Sequence, residues 1–180
     1  MKWFFRKNSK LSSPSLEDDH LNENKKYKDG DQDGLSQTYY ENGQLMSKGN
    51  YKEGKKEGFW ESYRINGQLN HKGHYKVGKR DGLEIWYFEN GQLWSKGNYK
   101  DGEKDGLSET YYENGQLETR GKFKEGKRED GLWKFYHKNG QLNHKGYYKN
   151  GDRTGLWEFY HKNGKIYSKG HYKKGKLVSD

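Results

Sequence analysis

The 180-residue chain contains no cysteine and a single proline, Pro14. The missing cysteine excludes disulfides, thiolate catalysis, cysteine-ligated zinc and a lipidated-cysteine anchor, while leaving the compartment open. Long apolar runs are missing too. The opening stretch offers only Trp3 to Phe5, short of the roughly 7–15 apolar residues of a signal-peptide core, and nothing approaches a membrane span. The expected compartment is the cytoplasm. The main core-forming residues are scarce: Leu, Ile, Val and Phe together make up about a seventh of the chain, below the roughly one-fifth at which disorder becomes the usual expectation.

What is present reverses that expectation. The chain holds 16 Tyr, 6 Trp and 25 Gly, and the glycines fall at fixed phases. An aromatic residue opens each unit at Tyr27, Tyr51, Tyr75, Tyr99, Phe123, Tyr148 and Tyr172, and an Asn-Gly pair marks each middle from Asn42-Gly43 to Asn163-Gly164, a period of 24 residues. One unit has 25, because GKREDG around Glu129 and Asp130 carries an extra residue where another unit has GKRDG around Arg80; this predicts an insertion in a turn. A fixed period of this size marks units that bury their apolar faces only by stacking on neighbours. The organisation expected is a polar tail over 1–26, a repeat domain over 27–176 with six full units and the start of a seventh, and a short end at 177–180.

Local signals in every unit are those of β-structure. Short aromatic-rich segments such as GLEIWYF lead into Asn-Gly, a strong hairpin signal because both residues tolerate positive φ. A second strand such as QLWSKGNYK follows, and a glycine-bearing turn returns the chain to the next unit. The fold class predicted is all-β: an elongated antiparallel meander or solenoid of about twelve strands. At about 4.8 Å between strands, six units would extend roughly 60 Å.

Strand alternation assigns faces. In the first strand of each unit Leu83 and Tyr87, and their equivalents, share one face and read as a structural ladder. In the second, Gly97 shares a face with Leu93 and Tyr99 and leaves room for a neighbouring tyrosine ring to lie over its backbone. The other face of the first strand varies between units: it is either a binding surface or a second, less regular core. Units five and six stand apart there, because Trp133, Phe135, His137, Trp157, Phe159 and His161 combine with Lys138 and Lys162 where the other units mostly have Glu. These eight residues are the candidate partner-binding surface.

The net charge is +9, and nearly all of the excess lies in residues 123–180, which favours an acidic protein, a phosphate polymer or anionic lipid as partner. The lysines near Lys173, Lys174 and Lys176 also suit a protected sheet edge. A ladder of Lys48, Lys72, Lys96, Arg120, Lys145 and Lys169 makes single-stranded nucleic acid conceivable, but interleaved glutamates argue against a continuous groove. The cluster from Lys2 to Lys7, with Trp3, Phe4 and Phe5, suits a membrane interface while offering too little area for stable anchoring.

Catalytic and metal chemistry find no footing. There is no Gly-x-Ser-x-Gly around any serine, and no glycine-rich phosphate loop. His137 and His161 lie one unit apart, roughly 10 Å, too far to share a zinc bound at about 2.0–2.1 Å; His71 and His74 fall on opposite faces of one strand. Asp29, Asp31 and Asp33 open like a calcium loop but lack its closing bidentate acid. No enzyme activity, metal or cofactor is expected.

Units of the form YKxGKxDGLWxxYYENGQLxxKGx, over about Tyr27 to Lys176, resemble the variant MORN repeats of bacterial YwqK-type antitoxin or immunity proteins. That resemblance implies an antiparallel β-repeat fold and neutralisation of a partner toxin by binding. It also implies an alternative, since related repeats are linked to membrane phospholipid binding and protein scaffolding. It transfers no catalytic residues.

Overall fold

The structure, a computed structural model, describes residues 26–28 and 31–179. The N-terminal cluster Lys2 to Lys7 and Asp29 of the acidic hexapeptide lie outside the described residues. Sixteen strands follow in chain order: β1 Lys26–Lys28, β2 Asp31–Tyr39, β3 Leu45–Lys52, β4 Lys55–Tyr63, β5 Leu69–Lys76, β6 Lys79–Arg80, β7 Gly82–Tyr87 and β8 Leu93–Lys100. The second half continues with β9 Glu103–Tyr111, β10 Leu117–Lys124, β11 Lys127–Arg128, β12 Gly131–Tyr136, β13 Leu142–Lys149, β14 Asp152–Tyr160, β15 Ile166–Lys173 and β16 Lys176–Ser179. All join one antiparallel sheet in sequence order, with β6 and β11 as short legs on β5 and β10. The strand number exceeds twelve because short β1 and β16 pair at the ends and two return legs are split in two. The extra residue of the fifth unit falls between β11 and β12, not in the turn itself.

The two edges of the sheet are turned by different chemistry, and the sequence expectation is corrected at one. In each Asn-Gly corner only the glycine has positive φ, as at Gly43 (78°). The corner is held by Tyr40 N donating to Gln44 O and by Gln44 N donating to Asn42 Oδ1. Here asparagine serves as a side-chain acceptor for the backbone. The two-residue turns with both φ values positive lie at the opposite edge, at Glu53-Gly54, Val77-Gly78, Asp101-Gly102, Glu125-Gly126, Asn150-Gly151 and Lys174-Gly175. An acid from the preceding unit caps several of them: Val77 N donates to Glu57 Oε2 at 2.9 Å and Asn150 N to Asp130 Oδ1 at 2.6 Å. Asp33, singled out for the calcium-like spacing, makes the same contact to Glu53 N at 3.4 Å.

The faces carry the reverse of the expected burdens. Leu83 is 45% exposed, and Leu35, Phe59, Leu132 and Leu156 are exposed as well, whereas Trp157 is fully buried and Trp133 is 3% exposed. The reason is a glycine trough. A Cβ at Gly49, Gly121 or Gly146 would overlap the indole of Trp60, Trp133 or Trp157, so the varied position of the first strand lies flat on the backbone of its neighbour. The ring over each glycine is thus a tryptophan, not the tyrosine expected. Tyrosines and phenylalanines flank it edge-on: Tyr51 and Trp60 centroids are 5.0 Å apart at 84°, Tyr148 and Trp157 5.2 Å at 89°. Edge-to-face pairs of this kind add about 0.5–1.5 kcal/mol beyond burial. Trp133, Tyr148 and Trp157 form the core cluster, with Phe123, Phe135, Phe159 and Tyr172 packed against it.

Candidate functional site, a ring-backed cation stripe

Above this aromatic floor runs a line of cations, one in each of the second to sixth units and all on the covered face. Lys56 Nζ sits 4.2 Å from the Trp60 ring, Arg80 Cζ 4.4 Å from Tyr99, Lys104 Nζ 4.9 Å from Phe123, Arg128 Cζ 4.8 Å from Tyr148 and Arg153 Cζ 4.4 Å from Trp157. Each is delivered by the first residues after a two-residue turn, so strand alternation fixes its side chain toward the rings. Cation–π contacts of this kind contribute about 0.5–2 kcal/mol each. Among the described residues none of the five has a carboxylate within ion-pair distance. Their other contacts are to hydroxyls: Arg128 donates to Tyr148 Oη at 2.8 Å and Lys104 to Ser108 Oγ at 3.3 Å. Burial pulls the Lys56 and Lys104 ammonium groups below their usual range, with Arg80 adding to the effect at Lys104.

The ladder first noticed in the sequence behaves differently. On the solvated face Lys48 meets Glu61 at 2.8 Å, Lys96 meets Glu109 at 2.8 Å and Lys145 meets Glu158 at 2.9 Å. Tyr63, Tyr111 and Tyr160 donate to the same three carboxylates. Much of this ladder is internally neutralised, so the free cationic line lies on the varied face singled out for its aromatics, through residues that sequence reasoning did not count among its candidates. A signal for it was present: Lys56, Arg80, Lys104, Arg128 and Arg153 recur at one phase of the repeat.

The eight predicted residues are divided by the structure. Trp133 and Trp157 sink into the core and cannot meet a partner directly; Phe135 and Phe159 are partly buried against them. His137 is a joint between units, its Nε2 lying 2.8 Å from Tyr160 O. Tyr40, Arg64 and Tyr112 make the same one-unit step to Tyr63 O, Tyr87 O and Tyr136 O. His161 packs on Tyr167 at 4.6 Å with the rings tilted by 39°. A shallow depression of about 730 Å³ brings His137, His161 and Lys162 together with Tyr167; Lys138 is exposed and leans toward the Tyr112 ring at 5.9 Å.

The third unit departs from the floor altogether. Glu84 takes the tryptophan position, fully buried, between Gly73 and Gly97. Its Oε2 lies 2.6 Å from His71 Nε2, and its Oε1 has no hydrogen-bond partner among the described residues. His71 stacks on Trp86 at 4.7 Å, while His74 packs on the other face against Phe59 at 5.2 Å.

Hairpin units, a glycine trough and inter-unit hydrogen bonds define a β-repeat scaffold built as an open sheet. The chain belongs to the MORN repeat variant family, whose model matches residues 32–53, 80–101, 104–125, 129–150 and 153–174. Repeats of this kind are generally protein- or membrane-binding. The unmatched stretch between 53 and 80 holds β4 and β5, which pair in the same register as their equivalents. No curated protein matches the chain.

Proposed function

We propose that the chain is a non-enzymatic, cytoplasmic protein-binding scaffold of the antitoxin or immunity kind, and that it masks an acidic partner protein through the cation–aromatic face. The observation that carries this reading is the line of five cations with rings beneath them. Among the described residues no carboxylate lies within ion-pair distance of any of them, and the buried Glu84 acts on Lys56 only from further off. Such groups are held in place before binding, so a partner carboxylate gains a charge-assisted contact with little side-chain ordering left to pay. The test is co-expression with the product of an adjacent toxin-like reading frame. The wild-type chain should restore growth and co-purify with that product, and the Arg80→Gln, Arg128→Gln, Arg153→Gln variant should do neither while keeping its circular dichroism. No complex, or a complex indifferent to the triple substitution, overturns the reading.

A second reading is attachment to an anionic membrane surface. What favours it is the last unit, where Tyr167, Leu177 and Val178 are more than half exposed beside Lys173, Lys174 and Lys176. Flotation with phosphatidylserine vesicles should then succeed at low salt and weaken as salt rises; no flotation at low salt excludes it.

A further inference from the structure

On the solvated face the second, fourth and sixth units set an acid among bases on adjacent strands. The first and third hold Gln37 and Ile85 in the acid's place, and the fifth alone puts a further base there. Lys48, Glu61 and Lys72 lie abreast, as do Lys96, Glu109 and Arg120. In the fifth unit the acid's place is taken by Lys134, whose cross-strand neighbours are Arg120 on β10 and Lys145 on β13. Arg120 turns to Glu109 at 3.2 Å and Lys145 to Glu158 at 2.9 Å. Lys134 is left, among the described residues, with no carboxylate at ion-pair distance. Like charges directly opposed on neighbouring strands destabilise a sheet, so folding does not account for a lysine here.

The same unit carries the extra residue, and the two features meet in space. β10 and β12 pair only at Thr119–Phe135 and Arg120–Lys134. Beside this short pairing a cleft of about 450 Å³ opens, with Leu107, Leu132 and Tyr136 as apolar lining and Arg120, Lys122 and Lys134 as cations. Glu129 and Asp130 border it at the inserted corner, the Asp130 carboxylate being engaged by Asn150 N at 2.6 Å. Its volume is within the range of small-molecule sites.

We propose that this cleft binds a small soluble organic anion, a phosphate monoester or carboxylate on an apolar body, with Lys134 as the central counter-charge. The anion replaces the missing glutamate of the ladder and relieves the repulsion between Lys134 and its two neighbours, while its body covers Leu107 and Leu132. The site is on the face opposite the cation–aromatic stripe, and its failure would leave the partner-binding reading untouched.

Calorimetric titration of the full chain with phenyl phosphate, benzoate and benzyl alcohol tests it. One or both anions should bind the wild type, which anion binds more tightly identifying the preferred headgroup, and benzyl alcohol should bind at least about tenfold more weakly. Lys134→Glu, which gives this unit the acid of the fourth and sixth, should weaken anion binding at least about tenfold and raise the thermal midpoint of the unliganded protein. Lys134→Gln, which removes the charge without adding one, should weaken binding without needing that rescue. Anion affinity unchanged in both variants, equal binding of benzyl alcohol, or no binding of either anion by the wild type overturns the proposal. So does binding to anionic vesicles without binding to soluble phenyl phosphate.

Discussion

His71 Nε2 lies 2.6 Å from Glu84 Oε2, and the Glu84 carboxylate rests over the backbone of Gly73, where the second, fifth and sixth units place an indole over glycine. A fully buried carboxylate with one oxygen unpartnered among the described residues is a liability that a single neighbour holds in check. Removing one partner of a buried hydrogen bond leaves the other polar group unsatisfied, a loss of about 1–3 kcal/mol, whereas replacing the pair by packed apolar groups can be nearly neutral or stabilising. His71→Ala should therefore lower stability to urea by about 1–3 kcal/mol. Glu84→Trp, which copies the sixth unit with its own His144 and Trp157, should be neutral or stabilising. Equilibrium unfolding followed by tryptophan fluorescence reads both, and equal destabilisation by the two substitutions would show that the trough in this unit does not accept a ring.

The inverted faces give a second test. Trp157 is fully buried, while Leu156, one residue away, is 40% exposed. Trp157→Ala should cost about 3–5 kcal/mol, and Leu156→Ala less than about 1 kcal/mol, since half-exposed side chains lose little transfer free energy. Similar losses would contradict the assignment of the covered face.

That inversion marks where the sequence stopped being legible. The period, the strand pairs and the antiparallel meander are visible in the spacing of Tyr, Asn-Gly and Lys-Gly, because a repeat restates its own constraints. Which face is covered is not, because the repeated leucine suggests a core more strongly than a varied position does. Coverage is decided instead by Gly49, Gly121 and Gly146, whose bare backbone admits an indole from the next strand, a contact between residues about a dozen apart. The Asn-Gly hairpins fall where the spacing puts them, and only their backbone conformation departs from expectation. Asn-Gly suits two positive φ values, but Asn42 spends its side chain on Gln44 N, and the paired positive-φ turns fall on unpromising pairs such as Val77-Gly78. At the candidate site the cations of the stripe were overlooked because they sit beside the turns, where charge is usually read as solvation.

His144 links packing to pH. Its ring stacks on Phe135 at 4.2 Å and 13°. Burial, then the charges of Arg153 and His137, pull its pKa from 6.5 down to about 4. Asn143 Oδ1 lies 3.0 Å from its Nδ1. The unfolded chain binds a proton at this histidine below about pH 6.5 while the folded chain does so only below about 4. Stability from neutral His144 is therefore full above pH 6.5, falls as pH drops toward 4, and is lost below it. The loss is on the order of 3 kcal/mol. His144→Phe, which keeps the stack, should flatten the pH dependence of the thermal midpoint across this window; an unchanged slope would assign the effect elsewhere.

Val77 holds φ of 50° in the turn between β5 and β6. Left-handed backbone costs an ordinary L-residue roughly 1–2 kcal/mol, and a β-branched side chain makes it a genuine outlier. The contact that keeps the turn closed does not depend on the side chain, for it is Val77 N that donates to Glu57 Oε2 at 2.9 Å. The valine itself is 59% exposed, so little apolar burial offsets the strain. Asparagine occupies the same position at Asn150 with φ of 52°. Val77→Asn should accordingly stabilise the protein by about 1 kcal/mol, seen as a raised urea midpoint with unchanged slope. A lowered midpoint would mean that the valine side chain makes a contribution in the folded state larger than the backbone strain it imposes.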